Sequence, residues 1–178
     1  KQIIGQDSQG GGNPLGNTGG AGPEPFATVT PVDVGRAMLT AGFPNDESII
    51  AEGINVVKGE SDFGNYEPWK ELNDAGCVGY WQHQIAPPED DWAGHDITLE
   101  DACTLVPSTT LTKQMWQDSG NSFQNHWYKW NGGGYSKDTS TYLPQAKSAI
   151  QLGKFTNSPN QNSTPTGAGG PSGPVDSA

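Results

Sequence analysis

Cysteine, basic charge and long apolar runs are all scarce in this chain, and each scarcity narrows what it can be. Two cysteines in 178 residues, Cys77 and Cys103, are too few for a disulfide scaffold. They either form one bridge or stand as two small buried thiols, and free cysteine is commonly interior. His83, His95 and His126 do not join them in metal-ligand spacing, so no metal and no cofactor is expected. Nine Lys and Arg against twenty Asp and Glu leave a net charge of −11. The few basic residues are scattered and form no stripe that could track phosphates, so nucleic acid is not an expected partner. No segment approaches the roughly 20 apolar residues that span a bilayer, so no membrane span is expected. Lys1-Gln2-Ile3-Ile4 runs straight into glycines and not into the apolar core of a secretory signal. No internal repeat is evident.

Glycine, asparagine, proline and serine are concentrated at the two ends. Residues 5–25 and 156–178 are built mostly from them. Such stretches cannot bury enough apolar surface to offset the entropy of ordering the chain. The expected organisation is a flexible Gly/Asn-rich arm over 1–28, one folded domain over 29–155 and a flexible Ser/Pro/Gly-rich tail over 156–178. Nearly all of the six Trp, five Tyr and five Phe fall inside the middle segment.

Inside that segment the pattern is helical. Thr30, Pro31 and Asp33 make a capping box with proline at the first helical position, ahead of Val34, Ala37, Met38 and Ala41 at helical spacing, with Gly42 as the stop. Asn45 or Asp46 caps a second helix carrying the apolar stripe Ile50, Ile54 and Val57. Val78–Ile85 reads as a short extended element with Gly79 in it. Thr98-Leu99-Glu100-Asp101 opens a helix that runs to about Leu105. Pro107-Ser108 is expected to break it, with another helix starting at Ser108 or Thr109 and stopping at Gly120. Leu143, Ala146 and Ile150 mark a last helix ended by Gly153. The fold class is α+β, mainly α: about five helices and one small extended or β element.

Three short blocks carry the chemistry. The first is Gly59-Glu60-Ser61, where Glu60 falls three residues past Val57 and four past Val56 and so emerges beside the buried face of its helix. A carboxyl there is partly desolvated, which favours its protonated form, as a general acid requires. The bland reading, a solvated Glu at a helix C-terminus, is the commoner one for a Glu taken alone. The second block is Gly79-Tyr80-Trp81-Gln82, with two rings that can stack on sugars and an amide that can bond an N-acetyl or hydroxyl group. Its bland reading is a hairpin with ordinary aromatic packing. The third is the stretch from Tyr128 through Trp130 and Asn131 to Tyr135, an aromatic and glycine-rich segment. A lone carboxylate, a Gly-aromatic-Gln turn and a Tyr/Asn/Gly stretch are the parts of a glycan-cleaving cleft.

In this order the blocks resemble the lysozyme-like lytic transglycosylases, and more narrowly those of phage virion and tail proteins, especially phages of actinobacteria. Glu60-Ser61 matches the family's Glu-Ser pair, residues 79–82 match its Gly-Leu-Met-Gln-type turn with Tyr80 and Trp81 as aromatic variants, and residues 130–133 match its Tyr-Asn-Ala-Gly-type block loosely. The resemblance covers about residues 36–150. Lys58 departs from the small apolar residues usual before the Glu. The related sequences often carry a second cysteine soon after the counterpart of Cys103, where this chain has Thr109 and Thr110, which leaves Cys77 as the one possible disulfide partner.

The resemblance implies a lysozyme-like fold and a catalytic Glu60, with Ser61, Tyr80, Trp81, Gln82, Tyr128, Trp130, Asn131 and Tyr135 contacting substrate. It implies peptidoglycan glycan strands and other virion tail proteins as partners. It further implies a place in the virion tail or tail tip, acting on the host envelope, as part of or processed from a tail or tape-measure-type protein. A hydrolase using Asp62 or Asp74 to activate water is the variant outcome. Two other functions compete: a virion structural protein whose lysozyme-like domain has lost activity, and a carbohydrate-binding module stacking sugars on Trp81, Trp127 and Trp130.

Overall fold

The computed structural model describes residues 22–86, 97–128 and 138–155. Their architecture is mainly helical with one small two-stranded sheet. Helix α1 (Pro31–Thr40) begins where the capping box places it. Thr30 accepts from the Asp33 N–H and the Asp33 carboxylate accepts from the Thr30 N–H. Helix α2 (Glu47–Ser61) is capped by Asp46, whose carboxylate takes the Ser48 and Ile49 N–H groups at 2.8 and 3.1 Å. Two 3-10 turns, Asp62–Gly64 and Glu67–Lys70, lead to the hairpin of β1 (Cys77–Val78) and β2 (His83–Gln84). The strands are antiparallel, with Cys77 opposite Gln84 and Val78 opposite His83. Helices α3 (Leu99–Ala102), α4 (Leu105–Asp118) and α5 (Leu143–Leu152) follow, with a π turn at Gln124–Tyr128 and a 3-10 turn at Ser140–Tyr142.

Helix α1 packs on α2, α4 and α5, and α2 also packs on α5. The α1–α5 crossing is close because Gly35 has no side chain: a Cβ there would sit 2.6 Å from that of Ala149. Val34, Ala37, Met38, Ile50, Ile54, Val56 and Val57 are fully interior. The Val, Ile and Met side chains among them contribute about 1.5–3 kcal/mol each through apolar burial.

Two expectations are corrected. Pro107 does not break a helix. It is the third residue of α4, where backbone N–H groups have no intrahelical partner, so its missing N–H costs nothing. The break lies three residues earlier: α3 ends at Ala102, and Thr104 is extended (φ −107°, ψ 125°). The composition boundary at residue 28 also moves. Phe26 N–H donates to the Cys103 carbonyl at 2.9 Å, the Phe26 ring lies 6.4 Å from that of Trp69, and a Cβ on Gly22 would meet Val106 at 2.9 Å. The docked chain therefore includes residues 22–28. The expectations for the remaining arm and the tail fall outside the described residues. Of the two readings open for the cysteines, the structure has the free thiols: Cys103 is buried and Cys77 half-buried, and they are not bonded.

The hairpin turn tolerates no side chain at its first position. Gly79 has φ +89°, and a Cβ there would lie 2.1 Å from the Ala102 carbonyl oxygen. Gly79→Ala is expected to cost at least about 2 kcal/mol, because strain and a backbone clash act together. A urea titration showing less than half of that would contradict the geometry.

Half-buried Glu52 on α2 gives a second expectation. Burial pushes its carboxyl above the ordinary value. The folded protein then binds the proton more tightly than the unfolded chain, so stability falls as pH rises from the unfolded value, about 4.3, through the folded one. Glu52→Gln should stabilise the protein at pH 7, with the gain vanishing below pH ~4. Equal gains at both pH values, in paired thermal melts, would show that the charge is not the cause.

Candidate functional site

Glu60 stands where α2 runs out of core. Val56 and Val57, one turn behind it, are fully buried, while Glu60 itself is partly exposed. After Ser61 the backbone turns sharply: Asp62, Phe63 and Gly64 have φ of 49°, 58° and 84°. Left-handed geometry at two non-glycine residues is strained by about 1–3 kcal/mol each, and such strain clusters at functional sites. It is held from several sides. Val29 N–H donates to the Phe63 carbonyl at 3.0 Å, Trp69 Nε1–H to the Gly64 carbonyl at 2.9 Å, and Tyr66 N–H to the Ser61 carbonyl at 3.2 Å. The rings of Phe63 and Tyr142 meet edge-on at 6.1 Å. Lys58 is exposed and pairs with the Asp62 carboxylate one turn on.

The Gly79–Gln82 turn is the second part. Gly79 N–H donates to the Trp69 carbonyl at 2.8 Å and Gln82 N–H to the Gly79 carbonyl at 3.2 Å. Tyr80 and Trp81 are both 0% exposed. The Tyr80 ring lies 4.4 Å from Trp69 and its hydroxyl donates to the Ala27 carbonyl. Burial pushes that hydroxyl well above its ordinary pKa. Trp81 stacks near Phe123 at 6.1 Å, and its Nε1–H donates to Thr109 Oγ1 at 3.0 Å. Trp127 lies 6.0 Å from Trp81 and donates to its carbonyl at 3.1 Å. His83, next along, is buried with Nε2 at 3.0 Å from both the Ser108 carbonyl and Thr112 Oγ1.

The expected sugar contacts therefore divide. Tyr80 and Trp81 offer no open face for stacking; they are core aromatics, because both sides of the turn are covered by other elements. Ser61 is corrected likewise: it is 0% exposed and its hydroxyl donates back to the Val57 carbonyl at 3.2 Å. Gln82 is partly exposed, and its side chain bonds Asn73 and the Gly79 carbonyl. Tyr128 closes the π turn. Trp130, Asn131 and Tyr135 lie outside the described residues. The binding-module reading loses two of its three platforms, since Trp81 and Trp127 are both interior.

Cys77 links the two parts. Its thiol is pushed above its ordinary pKa by burial and then by the negative charge of Glu60. Its N–H donates to Asn73 Oδ1 at 2.9 Å, and Asn73 Nδ2 donates to Gln82 Oε1 at 3.1 Å. Glu60 thus acts electrostatically on a strand residue one hydrogen-bonded step from the residue that holds Gln82. The sequence reading missed Asn73. The one signal there is the turn composition Asn73-Asp74-Ala75-Gly76, which marks a turn but does not point to Gln82. Among the described residues no cluster of three His, Cys, Asp or Glu can hold a metal, and no helix is long and apolar enough to cross a membrane. No protein-family model, curated protein or solved structure matches the chain.

The coupling between Glu60 and Cys77 is testable without any assumption about function. Glu60→Gln removes the anion, lowers the Cys77 pKa and should speed its alkylation at pH 8, because the thiolate is the nucleophile. Cys103, fully buried and with its pKa pushed up to about 11 by burial, should stay slow in both proteins. Unchanged Cys77 labelling, followed by mass spectrometry, would separate the two groups.

Proposed function

We propose that the chain is a peptidoglycan-cleaving lytic transglycosylase of the lysozyme-like type, carried in a phage virion tail and acting locally on the host cell wall. The observation that carries the reading is the placing of Glu60. It is a partly exposed side chain one turn past the fully interior Val56 and Val57, it is followed by strained backbone, and its charge acts on Cys77, whose N–H bonds the Asn73 that holds Gln82. The mainly helical fold with one small hairpin is compatible with the lysozyme-like class.

In the proposed reaction, protonated Glu60 gives its proton to the glycosidic oxygen between N-acetylmuramic acid and N-acetylglucosamine. The resulting carboxylate then accepts the proton of the muramoyl C6 hydroxyl as that oxygen closes a 1,6-anhydro ring. One carboxyl serves both steps, so no second nucleophilic carboxylate is required, unlike the paired-carboxylate glycosidases. Asp62, the nearest second carboxylate in sequence, is engaged by Lys58. Asp74 is exposed in the Asn73–Gly76 turn.

A second reading has its own support. Ser61, Tyr80 and Trp81 are interior, which removes three expected substrate contacts. This favours a virion structural protein that keeps the domain without its activity.

Cell-wall zymography of wild type beside Glu60→Gln separates the two. The enzyme reading expects clearing by wild type and a loss of at least about 10²–10⁴-fold in the variant, the usual contribution of a general acid. Products should be lighter than those of hydrolysis by one water. No clearing by folded wild type supports the structural reading, and clearing by a folded Glu60→Gln protein rejects Glu60 as the acid.

A further inference from the structure

Asn73 is held at four points. Its Oδ1 accepts the Ala75 and Cys77 N–H groups, each at 2.9 Å, and its own N–H donates to the Cys77 carbonyl at 3.0 Å. The fourth is the bond from Nδ2 to Gln82 Oε1 at 3.1 Å. Two backbone donors converge on one end of the Asn73 amide, so that end must be the oxygen. The other end is then the nitrogen, which can only donate. What it meets on Gln82 must be an acceptor, so Gln82 turns its oxygen to Asn73 and its nitrogen away. Gln82 Nε2 spends one hydrogen on the Gly79 carbonyl at 3.0 Å. An amide nitrogen carries two, so one hydrogen is left. Gln82 has no freedom to undo this through its backbone, which is held at φ +51° between the two anchored strands.

We propose that Asn73 is a positioning residue that sets the polarity of the Gln82 amide, so that the turn presents an N–H donor to a carbonyl oxygen such as that of an N-acetylated sugar. The inference rests on the cleft reading above and deepens it by naming which end of Gln82 faces the ligand. Asn73 acts through Gln82 and does not itself touch the sugar.

Asn73→Asp isolates the effect. The introduced carboxylate still accepts the two backbone N–H groups, so the turn is preserved. Its second oxygen accepts where Asn73 donated, and the Gln82 amide must turn over. Binding of an N-acetylglucosamine tetramer is measured by calorimetry on the Glu60→Gln protein, which does not consume it. At pH 7, adding Asn73→Asp should weaken binding by about tenfold, the worth of one hydrogen bond. Below pH ~3.9 the carboxyl regains a proton to donate, and the loss relative to the parent at the same pH should shrink. In a Gln82→Ala background, Asn73→Asp should cost nothing further, because residues that act as a unit are not additive.

An affinity unchanged by Asn73→Asp, a loss that ignores pH, or a loss that persists in the Gln82→Ala background each overturns the role of Asn73 and leaves the cleft reading standing. A folded parent that does not bind the tetramer overturns the cleft reading and this inference with it.

Discussion

Two neighbouring rings leave the Gly79–Gln82 turn in different directions, and the rest of the candidate site hangs from them. Tyr80 goes to Trp69 and the Ala27 carbonyl; Trp81 goes to Phe123, Trp127 and Thr109. Each ring's polar atom is satisfied by a hydrogen bond, so neither carries the penalty of a buried orphan donor. The turn is thereby clamped between the 22–29 segment with the Glu67–Lys70 turn on one side and α4 with the π turn on the other. With both aromatics committed inward, Gln82 is the side chain of the turn left reaching solvent. What reads in sequence as a pair of sugar-stacking rings is the anchorage of a single amide.

The end of α2 is organised on the same principle. Three consecutive left-handed residues turn the chain directly after Glu60-Ser61. This conformation is unfavourable for Asp62 and Phe63 and persists because the surroundings over-determine it. The carbonyls of Ser61, Phe63 and Gly64 are taken by Tyr66, Val29 and Trp69, and Tyr142 packs on Phe63. Strain beside a partly buried carboxyl is a costly arrangement for mere structure. A plain C-terminal glycine would have ended the helix more cheaply. That contrast is the physical argument for reading this end of α2 as a site.

Local signals in the sequence were legible where the physics is local. The Thr30-Asp33 box, Asp46, Gly42 and Gly153 all act within a turn of their own position, and each helix starts or stops there. The stripe Ile50, Ile54 and Val57 is interior for the same reason, since helical spacing alone puts it on one face. Pro107 misled because proline's effect depends on its place in a helix, and that place was set by the break at Cys103-Thr104.

The sequence by itself determined the mainly helical class, the caps that start α1 and α3, the α2 apolar face and the position of Glu60 one turn beyond it, because capping and periodicity are properties of neighbouring residues. Only the tertiary structure decided which polar and aromatic groups face inward. Whether Tyr80, Trp81 or Ser61 meets a ligand or the core depends on what covers it: Trp69 and Ala27, α4 and Trp127, or the Val57 carbonyl. Apart from that last bond, within one turn of its own helix, these covers come from segments up to 53 residues away. The same holds for the hydrogen bonds that tie Asn73 to Cys77 and Gln82, which the hairpin brings together across its two strands.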